Sequence, residues 1–287
     1  MSGIDPADWT ATGRADMLST ILRRSVCVSG QPFVALTVKD SIALLTLNRP
    51  PVNALSRALI DEAREAAGRA MEDARARVLV IASALPKSFS AGADIQELAA
   101  LDAAGSAAFA ERGQGLYDLL ESAPKPVIAA VRGVAFGGGC ELALACDLRV
   151  AGTGAGFALP EVSLGIMPGW GGTQRLPRLT GKTAALEMMM TGKPVPASRA
   201  LELGLVNRVV PDDEVLDEAL RLAAVLASKP PRSLALIKQA VREGAPLPLP
   251  DALALERELF VEAMATADAR EGIEAFLQKR PPRFHGR

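Results

Sequence analysis

The sequence predicts an α/β fold, a core of parallel strands and covering helices closed by an all-helical tail. Three observations carry that expectation. Short β-branched apolar runs recur between helical stretches. Those runs are apolar on both faces rather than alternating, as parallel strands covered on each side are. Beyond Pro211 only helical periodicity remains.

Residues 1–32 carry weak periodicity and scattered charge, and read as an N-terminal extension and a candidate mobile segment. From Phe33 the stretch "FVALTVKDSIALLTLNRP" alternates about Lys39-Asp40, which predicts a β-hairpin. "NALSRALIDEAREAAGRAMEDA" then repeats apolar residues at helical spacing. "ARVLVIAS", "KPVIAAVRG", "CDLRVAG" and "LVNRVV" are the candidate parallel strands. "DDEVLDEALRLAAVLASKP", "SLALIKQAVREG" and "PDALALERELFVEAMATADAREGIEAFLQKR" are amphipathic helices broken by Pro and Gly. The expected organisation is thus an extension (1–32), a core (33–211) and a helical region (212–287).

Composition narrows the chemistry. The 287 residues are 49% hydrophobic and 23% charged, with a formal net charge of -1. That balance removes the usual electrostatic case for a nucleic-acid partner or an anionic membrane surface. No uncharged apolar run approaches the ~18 residues of a membrane span, and no secretory signal is expected. Cys27, Cys140 and Cys146 lack metal-site spacing, so no metal is expected. Cys140 and Cys146 sit in apolar text, where reduced thiols point to a cytoplasmic setting. The only histidine is His285, near the C-terminus. Histidine-based nucleophile systems are therefore disfavoured, and carboxylates become the candidate proton carriers.

One stretch concentrates the signal. In "VRGVAFGGGCELALACD" three glycines open a helix and Glu141 falls in its first turn. The stretch lacks the Gly-Lys-Ser/Thr of a phosphate loop, and neither it nor "GTGAGF" at 152–157 gives the dinucleotide fingerprint. Two readings remain. Backbone N–H groups at the helix start can hold a small, negatively charging oxygen; alternatively the glycines permit tight packing and Glu141 answers the helix dipole. A second small-residue loop, "FSAGADIQEL" (89–98), leads into another helix. "FALPEVSLGIMPGWGGTQRLPR" (157–178) places Glu161 after a proline, then a Pro/Gly-rich loop holding Trp170. Two glutamates beside two glycine-containing loops fit a paired-carboxylate acid/base site.

Taken in order, "LNRPPVNALS", "SFSAGADIQEL", "KPVIAAVRGVAFGGGCELALACDLRVA", "PEVSLGIMPGWGGTQRLPRLTG", "LELGLVNRVV" and "EAFLQKRPPRF" resemble the crotonase, or enoyl-CoA hydratase/isomerase, superfamily. The resemblance implies a crotonase-like spiral of β-β-α units followed by a helical trimerisation region, in a homotrimer or dimer of trimers. It implies an acyl-CoA thioester as substrate and hydration of a trans-2-enoyl-CoA to a 3-hydroxyacyl-CoA. No separate cofactor is implied, because coenzyme A is part of the substrate. The N–H groups of Ala91 and Gly138 would form the oxyanion hole, Glu141 and Glu161 would handle the water and its protons, and Gly169 would help position that water. Ala54, Leu55, Ala93, Asp94, Ile95 and Pro160 would hold the thioester, and Phe276 and Lys279 would reach its nucleotide.

Alternatives within the resemblance are a methylglutaconyl-CoA hydratase, suggested by "CELALACDLRVA" and "KRPPRF", and an enoyl-CoA isomerase. A non-catalytic acyl-CoA-binding or assembly protein is the alternative of another class. RNA-binding relatives use a lysine-rich first helix, whereas here Arg57, Arg64, Arg69, Arg75 and Arg77 interleave with acids and read as a solvated, salt-bridged face. Trp170 stands where a small residue is usual, and either narrows the acyl pocket or packs outward. Tyr117 reads as half-buried packing. Lys279, Arg280, Arg283 and Arg287 read as a solvated tail, Lys279 excepted.

Overall fold

A computed structural model of the chain describes residues 32–286. The expected mobile extension, and Cys27 with it, lies outside the described residues apart from Pro32.

Two sheets are stacked along a β-β-α repeat. The larger contains β1 (Val34–Lys39), β2 (Ile42–Leu47), β3 (Val78–Ser83), β5 (Val127–Val131), β7 (Leu148–Gly152) and β10 (Arg208–Val210), in that spatial order. Within this larger sheet only β1 and β2 pair antiparallel, the hairpin expected about Lys39-Asp40, with Asp40 and Ser41 both at positive φ. The smaller sheet has the order β4 (Ser88–Ser90), β6 (Val134–Phe136), β8 (Gly156–Ala158) and β9 (Val195–Pro196). Each turn runs one long strand, one short strand, then helical chain: β3–β4, β5–β6 and β7–β8.

Period-two alternation explains why the strand text is apolar without interruption. Ile42, Leu44, Val78, Val80, Ile128 and Val150 face one core, whereas Leu45, Leu47, Leu79, Ile81, Ala129 and Val131 face the other. The second core lies under α1 (Arg57–Glu72), whose buried residues Leu59, Ile60, Ala63, Ala66, Ala67 and Ala70 recur at helical spacing. Ser56 caps α1, its hydroxyl accepting from the Leu59 N–H at 3.2 Å. The opposite face of α1 carries Arg69 with Glu65 at 3.7 Å, and an ion pair joins its Asp61 to Arg112.

Further helices are α2 (Ile95–Ala99), α3 (Ala103–Ser122), α4 (Gly138–Ala145), α5 (Gly172–Thr180), α6 (Lys182–Thr191) and α7 (Ala197–Glu202). Then follow α8 (Val215–Ala227), α9 (Pro231–Gly244), α10 (Leu249–Met264) and α11 (Ala267–Leu277). Val215, Ala219, Leu220 and Ala223 of α8 pack on the large sheet. The helical tail as a separate layer therefore begins after α8, one helix later than position 212 suggests. Lys238 ties α9 back to the core, its Nζ 2.8 Å from Asp147 Oδ2. Within the final basic stretch Arg280 is pinned, forming two bonds to Glu271, and Asp268 accepts from the His285 and Gly286 N–H groups at 2.7 Å; Arg287 lies outside the described residues.

Candidate active site

The small sheet organises the site. Its three parallel strands are followed by Ala91-Gly92-Ala93, by Gly137-Gly138, and by Pro160-Glu161. Loops at the carboxyl ends of parallel strands form a natural crevice. Here they enclose a cavity of about 180 Å³. Glu141, Glu161, Gly138, Gly169 and Ala91 all line it, as do Ala93, Ile95 and Pro160.

The glycine triplet has a separate reason at each position. Gly137 is at φ 50, and a Cβ there would meet Glu161 Oε1 at 3.0 Å. A Cβ on Gly138 would overlap the Trp170 indole, and one on Gly139 would overlap the Ser90 carbonyl. The Gly137 N–H is bonded to Ala158 O and the Glu141 N–H to Gly137 O, at 2.9 Å each. Between them the Gly138 N–H has no acceptor among the described residues and lies at the start of α4, where the dipole is positive. The Tyr117 hydroxyl donates to Gly138 O at 2.6 Å and so fixes the orientation of that peptide unit.

The neighbouring loop corrects one expectation. The Ala91 N–H donates to Val52 O at 3.0 Å, so it is engaged inside the fold. Two residues on, the Ala93 N–H has no acceptor among the described residues, while Leu55 N and Asp94 N bond around it. The free donor in this loop is therefore that of Ala93, placed by the sequence reading among the thioester contacts. A Cβ on Gly92 would sit 3.3 Å from Gly138 N, so the two loops touch at these donors.

Asn53, at φ 52, donates to Phe89 O and accepts from the Arg49 N–H at 2.6 Å. Arg49 in turn holds Asp94 Oδ2 at 2.7 Å and Ala54 O at 2.8 Å. Asp94 caps α2, and the Arg49 guanidinium helps hold its carboxyl below the usual carboxylate range, against the upward push of burial. These bonds join the loop after β2 to the loop after β4. A second, open groove of about 530 Å³ runs along that junction past Ala54 and Asp94, and it shares Ala91, Ala93 and Ile95 with the inner cavity. Leu55 is buried beneath Gly138.

The two carboxyls differ in setting. Glu141 is 2% exposed, and its Oε1 accepts from the Trp170 N–H at 2.9 Å and the Gly172 N–H at 2.7 Å. Burial, reinforced by Glu161, lifts its pKa to about 7 against those two hydrogen bonds. Burial also raises Glu161, whose Oε2 is enclosed without a partner among the described residues. Glu161 opens the 3₁₀ turn Glu161–Leu164. Both settings thus favour the protonated form, that of Glu141 by near-complete burial and that of Glu161 by partial burial. The donors from Trp170 and Gly172 escaped the sequence reading, although "GWGG" opening a helix carried the same signal as the first glycine run.

Trp170 packs inward and is 4% exposed. Its indole N–H donates to Phe109 O at 3.1 Å, and its ring contacts Phe109 and Tyr117 at centroid distances of 5.1 and 5.9 Å. Tyr117 is fully buried rather than half-buried, and that burial pushes its hydroxyl well above the usual range. Phe276 and Lys279 do not line the cavity; Phe276 is 83% exposed at the end of α11. No helix among the described residues is long and apolar enough to cross a membrane.

A family model described as Enoyl-CoA hydratase/isomerase matches residues 37–287. A probable enoyl-CoA hydratase of Bacillus subtilis is 44% identical over 88% of this chain and 98% of its own. The 2,3-dehydroadipyl-CoA hydratase of Escherichia coli is 47% identical over 87% and 97%. Among solved structures, the enoyl-CoA hydratase of Bacillus anthracis superposes with a TM-score of 0.85 at 37% identity, covering 89% of this chain and 100% of that one.

Proposed function

Since the chain belongs to the enoyl-CoA hydratase/isomerase family, we infer that it adds water across the 2,3-double bond of a trans-2-enoyl-CoA, giving the 3-hydroxyacyl-CoA. The single observation that carries this reading is the pair of glutamates, buried Glu141 and half-buried Glu161, facing one cavity beside two unbonded backbone N–H groups.

The chemistry follows from the electron demand of the thioester. Its carbonyl draws charge from the double bond into oxygen, and the Ala93 and Gly138 N–H groups are aimed to stabilise that charge, each donor contributing about 10²–10³ in rate. Water attacks the β-carbon and gives a proton to a carboxylate of the pair. The α-carbon takes a proton, either from a carboxylic acid of the pair or from the carboxyl that the water has just protonated. A carboxyl raised to about 7, as at Glu141, can both give and take a proton near neutrality. Gly169, exposed beside Trp170, offers a further N–H toward the water. Ala54, Asp94 and Ile95 line the open groove suited to the pantetheine arm. No separate cofactor enters this scheme.

Exposed apolar residues on the tail helices, including Ile237, Val241, Leu249 and Phe260, support assembly as a homotrimer or dimer of trimers. In that arrangement Phe276 and Lys279 of one copy would serve the nucleotide of another. Buried free thiols at Cys140 and Cys146 support a reducing, cytoplasmic setting.

The test is turnover of crotonyl-CoA by purified protein. Glu141→Gln and Glu161→Gln are each expected to lower kcat on the order of 10²–10⁴-fold. Wild-type turnover in both variants would refute the paired-carboxylate reading.

A further inference from the structure

We propose that Trp170 closes the acyl end of the cavity and that the site selects short, uncharged enoyl chains. This rests on the hydratase reading above.

The indole is seated in a slot made for it. A Cβ on Gly113 of α3 or on Gly138 of α4 would overlap the ring, so both helices give up a side chain where the indole lies. Phe109 O holds its N–H, the Phe109 ring packs against it at a tilt of 58°, and the Tyr117 ring meets it nearly at right angles. A ring fixed on so many sides cannot swing away at little cost when a longer chain enters. With a small residue at 170 that volume would be continuous with the cavity; with tryptophan it is filled. Gly113 is the complementary feature in the sequence, a buried glycine in mid-helix whose only evident reason is the facing indole.

Charge sets the second limit. Among the described lining residues the only ionisable side chains are Glu141 and Glu161, and the neutral polar lining is confined to Ser106. Leu98, Leu101, Phe109 and Met167 supply apolar wall. A carboxylate at the far end of an acyl chain would be desolvated there with no cation to meet it and with two acidic groups nearby. The Arg175 guanidinium, bonded to Trp170 O, does not line the cavity and is committed to Asp118 and Glu121, while Arg49 lines the open groove and is committed to Asp94.

The experiment compares kcat/KM for crotonyl-, trans-2-hexenoyl-, trans-2-decenoyl- and 2,3-dehydroadipyl-CoA on the full-length protein. Wild type is expected to lose on the order of tenfold or more from hexenoyl to decenoyl, and on the order of 10²-fold from hexenoyl to dehydroadipyl. Trp170→Ala is expected to raise the decenoyl-to-crotonyl ratio on the order of tenfold, and Trp170→Leu to raise it less. A purely structural role would lower all substrates together and leave that ratio unmoved. Equal wild-type rates on decenoyl-CoA, or a ratio unchanged in both variants, would overturn the floor; equal rates on dehydroadipyl-CoA would overturn the charge filter. Either failure with crotonyl-CoA still hydrated leaves the hydratase reading standing, whereas no turnover on any thioester overturns both. If Trp170→Ala does not fold, the wild-type series and Trp170→Leu decide.

Discussion

Glu141→Gln is expected to make the folded protein more stable at alkaline pH while abolishing most of its activity. Burial lifts the Glu141 carboxyl from 4.5 to about 7, so the folded chain keeps a proton that the unfolded chain releases. For a carboxyl raised in this way, stability is fully present below the unfolded pKa and is lost as pH rises through the folded one. Each pH unit across that window costs about 1.4 kcal/mol, roughly 3 kcal/mol once both states are ionised. Glutamine keeps an oxygen for the Trp170 and Gly172 N–H groups and carries no charge to desolvate. The advantage of the variant therefore grows from under about 1 kcal/mol near pH 5 to roughly 3 kcal/mol near pH 8.5. Urea unfolding at fixed protein concentration reads this directly, as a midpoint that rises with m unchanged. A variant less stable than wild type near pH 8.5, or a gap that does not widen with pH, would refute the assignment of a strained, proton-holding carboxyl.

The dependence of kcat/KM on pH is expected to show a limb near pH 7, where the Glu141 carboxyl titrates, and Glu141→Gln should remove that limb. Gly138→Ala should lose on the order of 10²–10³-fold in kcat, since its Cβ meets the indole and displaces the N–H donor. Lys238→Met should destabilise by about 1–3 kcal/mol in calorimetry, less than the 3–5 of a fully buried pair, because it leaves the Asp147 carboxyl facing the core without its cation.

The long strands and the hairpin were legible because both faces of the large sheet are covered, which leaves a continuous apolar run as the signature. The small sheet was not. Its strands Ser88–Ser90, Val134–Phe136 and Gly156–Ala158 are too short to show a period, yet they carry all three loops of the site. Glu141, Glu161 and Gly138 were legible as chemistry beside glycine. The choice between Ala91 and Ala93 was not, since it depends on Val52, whose carbonyl occupies the first N–H and leaves the second free. The inward turn of Trp170 was likewise invisible without Gly113, which lies 57 residues earlier, on a helix the chain folds back against it.

The most direct measurement is the reaction of crotonyl-CoA in ¹⁸O-labelled water followed by mass spectrometry. Hydration predicts a product carrying one heavy oxygen on the β-carbon. A product of unchanged mass, from double-bond migration or from no reaction, would contradict it.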